Sequence, residues 1–204
     1  MVRERKKKRS GPTRKEAILE MATVFFAEKG FRDTAIGDIA RNIGVADGTV
    51  FYHYRTKEDL FVAVLENFKE ELIRESREYL AAQEFADGLE MVVGLIGFYL
   101  SLAARMEERF LLLHRHYPYK LAEANPACRR HLEDIYDFFA STYEQAIRRG
   151  QEDGSIRELP AHKTALIIFT MVDGLVRIGT YRLYQPGSLY DELVASCRRM
   201  LQPD

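Results

Sequence analysis

The chain has 204 residues, 47% hydrophobic and 30% charged, the composition of a folded globular protein rather than a disordered one. Its formal net charge of −1 hides an asymmetry: residues 1–57 hold 13 Lys/Arg against 7 Asp/Glu, and the remainder 17 against 24. Only the first quarter is therefore suited to a polyanion, and two cysteines, Cys128 and Cys197, exclude a disulfide framework and point to a reducing, cytoplasmic setting.

Residues 1–12 form a basic arm, RERKKKR with Gly11 and Pro12, expected to be disordered alone and able to reach a DNA backbone. No apolar segment follows it, so it does not read as an export signal. A helix is expected from Arg14 to Lys29, with Ile18, Met21, Ala22 and Phe25 on one face and Gly30 just past its end. The stretch Thr34 to Lys57, TAIGDIARNIGVADGTVFYHYRTK, then organises the rest. Ile36, Ile39, Ala40 and Ile43 fall on one helical face, Gly44 interrupts, and a second short helix begins near Asp47 with Val50 and Tyr54 four apart. Two short helices around a glycine turn form a helix-turn-helix, whose second helix enters the DNA major groove. Neither is long enough to stand alone, so the flanking helices must hold them. The expected DNA-binding domain is 13–56.

Thr56 and Asp59 make a capping box for a connecting helix, 57–82, in which Phe61, Val64, Leu65, Phe68 and Leu72 face inward. It is expected to link the DNA-binding domain to a helical body, 57–204, without a flexible linker. The body reads as helices over 88–105, 107–116 (ended by Pro118), 125–152, 160–184 (broken by Pro186-Gly187) and a last one to Leu201 capped by Ser188 and Asp191. The total is nine helices in an all-α fold. The apolar runs 91–104 and 165–172 are shorter than a membrane span.

Residues 14–60 resemble the N-terminal domain of TetR/AcrR-family transcriptional regulators. The residues that carry the resemblance are AILEMATVFFAEKGF, followed by T-x-x-x-DIA-x-x-x-GV-x-x-GTVF-x-HY-x-TKE-x-L. The body matches weakly, through its helix count and the VDGL of Val172 to Leu175. The resemblance implies a homodimer built by the last two helices, and a pocket in the body whose occupation releases DNA. Ala46 stands where the family commonly has Ser, so the cap of the recognition helix is expected to shift or pass to Asp47. Phe51 stands where the family has Tyr, which removes a hydroxyl.

Candidate DNA contacts are Thr34, Asp47, Gly48, Thr49, Phe51, Tyr52, His53 and Lys57. Asp47 suits a cytosine amino group and Phe51 a thymine methyl, whereas Thr34, Thr49, Tyr52, His53 and Lys57 suit phosphates. In the body, Leu95, Phe98, Tyr99, Leu102, Met106, Phe110, His114, Phe138, Phe139, Thr142, Tyr143, Phe169 and Asp173 are expected to line an apolar pocket. Tyr99, His114, Thr142, Tyr143 and Asp173 would supply its polar groups, and a hydrophobic or aromatic effector fits such a lining. A dimer interface is expected from Ala165, Ile168, Val172, Leu175, Gly179, Leu189, Leu193, Val194 and Cys197, on a helix that is apolar nearly all round.

Competing readings are a metal sensor using His114, His116, Cys128 and His131, and a helix-turn-helix module that regulates nothing. The metal reading has Cys128 and His131 on one helical face, but the spacing fits no known metal motif. No glycine-rich phosphate loop, G-x-S-x-G elbow or H-E-x-x-H helix occurs, so neither catalysis nor a cofactor is expected.

Overall fold

The computed structural model describes residues 13–203, so the basic arm 1–12 lies outside the described residues. The described chain is helical throughout, with eleven α-helices and one 3-10 turn, and divides into two compact units between Val64 and Leu65.

In the first unit, α1 (Arg14–Glu28) starts at a capping box that the sequence reading missed. The Glu16 N–H donates to Thr13 Oγ1 and the Thr13 N–H donates to the Glu16 carboxylate. Gly30, at φ +81°, ends the helix where an L side chain would be strained. A four-residue turn of helix follows, α2 (Gly30–Asp33), then α3 (Ile36–Asn42) and α4 (Asp47–His53), joined through Gly44 at φ +70°. Ile18, Ala22 and Phe26 of α1 are buried with Ile39, Ala40 and Val50.

Helix α5 (Lys57–Ala82) opens with the expected reciprocal cap between Thr56 and Asp59. Its first two turns belong to the first unit, which therefore extends to Val64 and not to residue 56. Phe61 meets Phe26 and Phe31 edge-to-face, with ring centroids 5.2 and 5.7 Å away. Burying each such ring stabilises the unit by about 2–3 kcal/mol, and this is what holds two helices too short to persist alone.

The second unit contains the rest of α5 with α6 (Gly88–Arg105), α7 (Glu107–His114), α8 (His116–Ala122), α9 (Pro126–Asp153), α10 (Ala161–Thr180) and α11 (Tyr190–Leu201). Asn125 caps α9 by accepting from the Ala127 and Cys128 N–H groups, and Gly154 at φ +82° closes it. Helices α6 and α9 approach at two glycines: a Cβ on Gly88 would stand 2.1 Å from the Gly150 nitrogen. Helix α6 has 18 residues and a mean hydropathy of 1.4, long and apolar enough to cross a membrane, unlike the shorter run read from sequence. Its inner face, including Leu89, Val92, Leu95, Ile96, Tyr99 and Leu102, is buried in this unit.

Several boundaries depart from expectation. Two short helices, α2 and α8, raise the count from nine to eleven. Pro118 does not end a helix; it sits in the first turn of α8, where its missing N–H would have had no intrahelical partner. Helix α10 stops at Thr180, before Pro186-Gly187, and Arg182 adopts φ +54° in the turn beyond it. Ser188 does not cap the last helix. Its N–H and its hydroxyl both donate to the Gln185 carbonyl inside a 3-10 turn, Pro186–Leu189, and α11 begins at Tyr190.

Candidate nucleic-acid interface and polar core

Helix α4 is anchored by one face and open on the other. Val50 and Tyr54, four apart, are buried, while Phe51 is 46% and Tyr52 84% exposed. Exposing two large aromatic rings on a seven-residue helix leaves apolar area in water, which is informative where a lone exposed leucine is not. Tyr52 packs edge-to-face on the half-buried His53, their centroids 5.2 Å apart, and Thr49 is also half-buried. Asp47 and Gly48 are exposed in the first turn, and a Cβ on Gly48 would meet nothing within 4 Å. Ala46 remains the N-cap, with no side-chain bond, so the cap has not passed to Asp47. The Asp47 carboxylate instead lies against α3, where a Cβ on Gly37 would stand 3.1 Å from its Oδ2.

Two expected phosphate contacts are committed elsewhere. Thr34 is 1% exposed, and its hydroxyl faces the Gly30 carbonyl at 2.7 Å and the Phe25 carbonyl at 3.0 Å. It ties the end of α1 to the turn after it, and Ala35, not Thr34, precedes α3. The Lys57 ammonium donates to the Thr34 carbonyl at 2.9 Å and the Arg32 carbonyl at 3.3 Å, and lies 4.5 Å above the Phe31 ring. These contacts close the unit and leave the ammonium only partly able to meet DNA.

In the second unit, aromatic rings from four helices converge. Tyr99 of α6 meets Phe110 of α7, Phe139 of α9 and Phe169 of α10 edge-to-face at 5.4, 4.8 and 5.6 Å, and Phe139 stacks on Phe169 at 5.3 Å. Asp173 of α10 is the polar centre of this cluster. Its Oδ1 accepts from the Tyr99 hydroxyl at 2.6 Å and lies 3.1 Å from His114 Nε2. Burial, reinforced by Asp173, pushes the Tyr99 phenol well above its ordinary range, so Tyr99 is held as a neutral donor. Burial also raises the Tyr136 and Tyr119 phenols, which share a hydrogen bond beside the same carboxylate. Tyr136 was missed from sequence although it lies three and seven residues before Phe139 and Tyr143, on their helical face.

Leu95, Leu102, Phe110, Phe139, Tyr143 and Phe169 are buried with Tyr99, and Met106 is half-buried at the junction of α6 and α7. Phe98 and Thr142 do not join them, and Phe138 touches the cluster only at its rim, edge-to-face on Phe139 at 5.2 Å. Adjacent helical residues point about 100° apart, so Phe98 cannot follow Tyr99, nor Phe138 follow Phe139. Phe98 stacks on Tyr79 at 4.2 Å. Phe138 and Thr142 line a separate open groove of about 580 Å³ with Ile73, Arg77 and Leu80, and the Thr142 hydroxyl donates back to the Phe138 carbonyl.

The expected dimer residues also separate. Ala165, Ile168, Val172, Leu193 and Cys197 are buried within the chain itself, and Leu175, Gly179 and Val194 are half-buried. Leu189 is exposed, together with residues the sequence reading passed over: Leu166, Ile167, Tyr181, Leu183 and Tyr184. Ile167, Thr170, Gly174 and Ile178 share one stripe of α10 opposite the buried face, and Ile167 is 53% exposed. Small residues suited either face, and the choice between faces depended on what α9 covers.

The four residues of the metal reading do not converge. Among the described residues no group of three or more His, Cys, Asp or Glu is placed to hold a metal ion. The Cys128 thiol donates to the Pro118 carbonyl and burial raises it to about 11, while His116 is exposed. His114 faces Asp173.

Residues 18–64 match the family model described as bacterial regulatory proteins, tetR family. The HTH-type transcriptional regulator TtgR of Pseudomonas putida is 29% identical over 186 residues, covering 87% of this chain and 84% of that one. The fatty acid metabolism regulator protein of Bacillus subtilis is 24% identical over 160 residues, covering 78% and 79%. Among solved structures, a transcriptional regulator from Saccharomonospora viridis in complex with choline superposes with a TM-score of 0.79 at 23% identity, covering 93% of this chain and 98% of that one. FadR of Bacillus subtilis in complex with stearoyl-CoA does so at 0.73 and 20%, covering 90% and 97%. With the helix-turn-helix of α3 and α4 in place, residues 18–64 are a DNA-binding domain of the TetR family, and the chain as a whole is similar to transcriptional regulators that carry it.

Proposed function

We propose that the chain is a cytoplasmic, dimeric repressor that binds a pseudo-palindromic operator and leaves it when an apolar or aromatic small molecule enters the second unit. The observation that carries this reading is the open face of α4, where Phe51 and Tyr52 are exposed beside Asp47 and Gly48 while Val50 and Tyr54 hold the helix down. Phe51 would read a thymine methyl, Asp47 a cytosine amino group, and Gly48 allows close approach. Thr49, Tyr52 and His53 would position the unit on phosphates. The dimer would form through the exposed stripe Ile167, Thr170, Gly174 and Ile178, with Leu166, and a pseudo-palindromic operator would ask for two recognition helices about 34–36 Å apart or a multiple of that spacing.

The effector would act on the second unit, whose aromatic cluster of Tyr99, Phe110, Phe139 and Phe169 gathers apolar rings around a few convergent polar groups. It must bind one state of the protein more tightly than the other, since equal affinity shifts nothing. The relatives' ligands, a quaternary ammonium in one and a fatty acyl thioester in another, differ so widely that the class must come from this chain's own residues. The test is selection of bound sequences from a random DNA pool, with and without added small molecules. The expected result is an inverted repeat whose binding weakens steeply with salt. Recovery of no common sequence, or binding indifferent to salt, removes the reading.

A further inference from the structure

We infer that the effector site is the cavity between α6, α10 and the 3-10 turn, and that it takes a compact aliphatic cation whose ammonium sits on Glu107. The inference rests on the reading that a small molecule acts on the second unit, and adds the place and the chemical class.

The lining carries it. The cavity has a volume of about 370 Å³, within the range of roughly 300–1,000 Å³ usual for small-molecule sites. Leu100 of α6 and Val176 of α10 form its walls, and Ala103, Ala104, Gly179 and Gly187, with little or no side chain, leave the room between them. Three other grooves of this unit are each lined by two or more charged side chains: Glu84 and Glu90 in one, Glu75, Glu78 and Arg105 in another, Arg77, Asp134 and Asp137 in the third. Here one charged residue faces the space, Glu107 in the first turn of α7. Val176 is buried and lies about 200° around α10 from Ile178, so a dimer along Ile167, Gly174 and Ile178 would use the opposite side of that helix.

The chemistry of the lining selects the class. No aromatic ring lines the cavity, so a flat ring finds no face to stack on, whereas a rounded aliphatic body meets the Leu100, Ala103 and Val176 side chains. The Thr180 hydroxyl donates back to the Arg177 carbonyl at 2.9 Å, which leaves the Glu107 carboxylate as the group able to orient a ligand. Arg182 stands 3.6 Å from that carboxylate, with the two side chains 86% and 58% exposed. An exposed pair of this kind is worth little, so a ligand ammonium displaces the guanidinium at small cost. A ligand carboxylate would instead bring a like charge to Glu107 across an apolar space.

The same stretch ties the cavity to α5. Helix α6 ends at Met106, and Ala104 and Glu107, on either side of that break, line the cavity. The residues interleaved with them hold α5: Arg105 pairs with Glu75 at 3.2 Å, and Arg109 pairs with Glu71. A molecule seated between α6 and α10 therefore bears on the junction whose arginines grip α5, the helix that begins in the DNA-binding unit.

The test uses the full chain and three adamantane probes of nearly one shape: adamantan-1-amine, adamantan-1-ol and adamantane-1-carboxylate. Calorimetric titration should rank the amine first, about fivefold tighter than the alcohol, and the carboxylate last. Glu107→Gln should erase the preference of amine over alcohol while the alcohol still binds. Ala104→Phe fills the space from an exposed position, so circular dichroism should show an intact fold while all three probes lose binding. At saturation the amine should lower affinity for the selected operator about fivefold or more. Arg105→Ala should blunt that response with amine binding unchanged. An amine no tighter than the alcohol, a preferred carboxylate, or no binding of any probe overturns the inference. So does amine binding undiminished in Ala104→Phe, an amine preference that survives Glu107→Gln, a full response in Arg105→Ala, or operator affinity indifferent to saturating amine. In each of those cases selective DNA binding by the free chain leaves the repressor reading standing, whereas its absence removes that reading whatever the probes do.

Discussion

The two units spend their polar and aromatic residues in opposite ways. In the first, aromatic rings either close the core, as Phe26, Phe31 and Phe61 do, or stand in solvent, as Phe51 and Tyr52 do. The Thr34 hydroxyl and the Lys57 ammonium fasten backbone carbonyls. In the second, rings and polar groups are buried together, and one carboxylate collects a phenol and an imidazole from two other helices. A surface that reads DNA must keep its groups ready in water, whereas a core that answers to a ligand can hold unmet polarity out of water. The difference teaches where mutation should act on binding alone and where it should act on folding.

A glycine in each unit gives the largest contrast. In Gly88→Ala the added methyl would stand 2.1 Å from the Gly150 nitrogen and 2.6 Å from the Ala146 carbonyl oxygen, both backbone atoms that cannot swing aside. We expect a loss of about 3 kcal/mol or more, read as a shift of the urea midpoint. In Gly48→Ala the methyl meets nothing, so stability should change by less than about 0.5 kcal/mol while operator affinity falls. Equal stability loss in both variants would break the comparison.

The next effect concerns assembly. Ile167→Asp puts a carboxylate on the exposed stripe of α10, and sedimentation should show a folded monomer with weakened operator binding. Ile168→Asp, one residue on and fully buried, should unfold the second unit instead. If Ile167→Asp remains dimeric, the interface lies elsewhere. Smaller still is Tyr52→Ala, expected to cost about 1–2 kcal/mol in DNA binding with the thermal midpoint unchanged, since 84% of the residue is already in water. A comparable loss of stability would mean that the ring supports His53 more than it meets DNA.

How much of this was legible in the sequence follows the same division. The first unit was readable because its signals are local: Ile36, Ile39, Ala40 and Ile43 at helical spacing, Gly44 at the turn, and Thr56 three residues before Asp59. The helices of the second unit were readable for the same reason, and Asn125-Pro126 and Asp153-Gly154 marked the ends of α9 where the structure has them. Which way their residues face was less so. Phe98 and Tyr99 are indistinguishable by composition, and only packing against α9 and α10 separates them. On α10 the exposed stripe carries Ile167 and Ile178 much as the buried one carries Ile168 and Val172, so apolar residues alone do not say which one α9 covers. Tyr136 was within reach of the periodicity, since it lies three residues before Phe139 on the same helical face. His114 and Asp173 are 59 residues apart, and their meeting on one oxygen belongs to the fold.

Thr34 gives the smallest effect and the sharpest separation of roles. In sequence it stands before a helix in a DNA-binding motif, which suits either a cap or a phosphate contact. In the structure its hydroxyl, 2.7 Å from the Gly30 carbonyl and 3.0 Å from the Phe25 carbonyl, bridges the end of α1 to the following turn. Thr34→Val keeps the branched shape and removes only that donor, so the Gly30 carbonyl loses its hydroxyl bond while the Phe25 carbonyl keeps the Lys29 N–H. The expected cost is about 1 kcal/mol of stability, seen as a lower urea midpoint, with operator affinity per folded molecule unchanged. A weakened operator complex at full stability would return the hydroxyl to the DNA and move the boundary between fastening and reading groups within the first unit. Thr34→Ser supplies the control, because it restores the donor without the methyl and should recover most of the hydrogen-bond contribution.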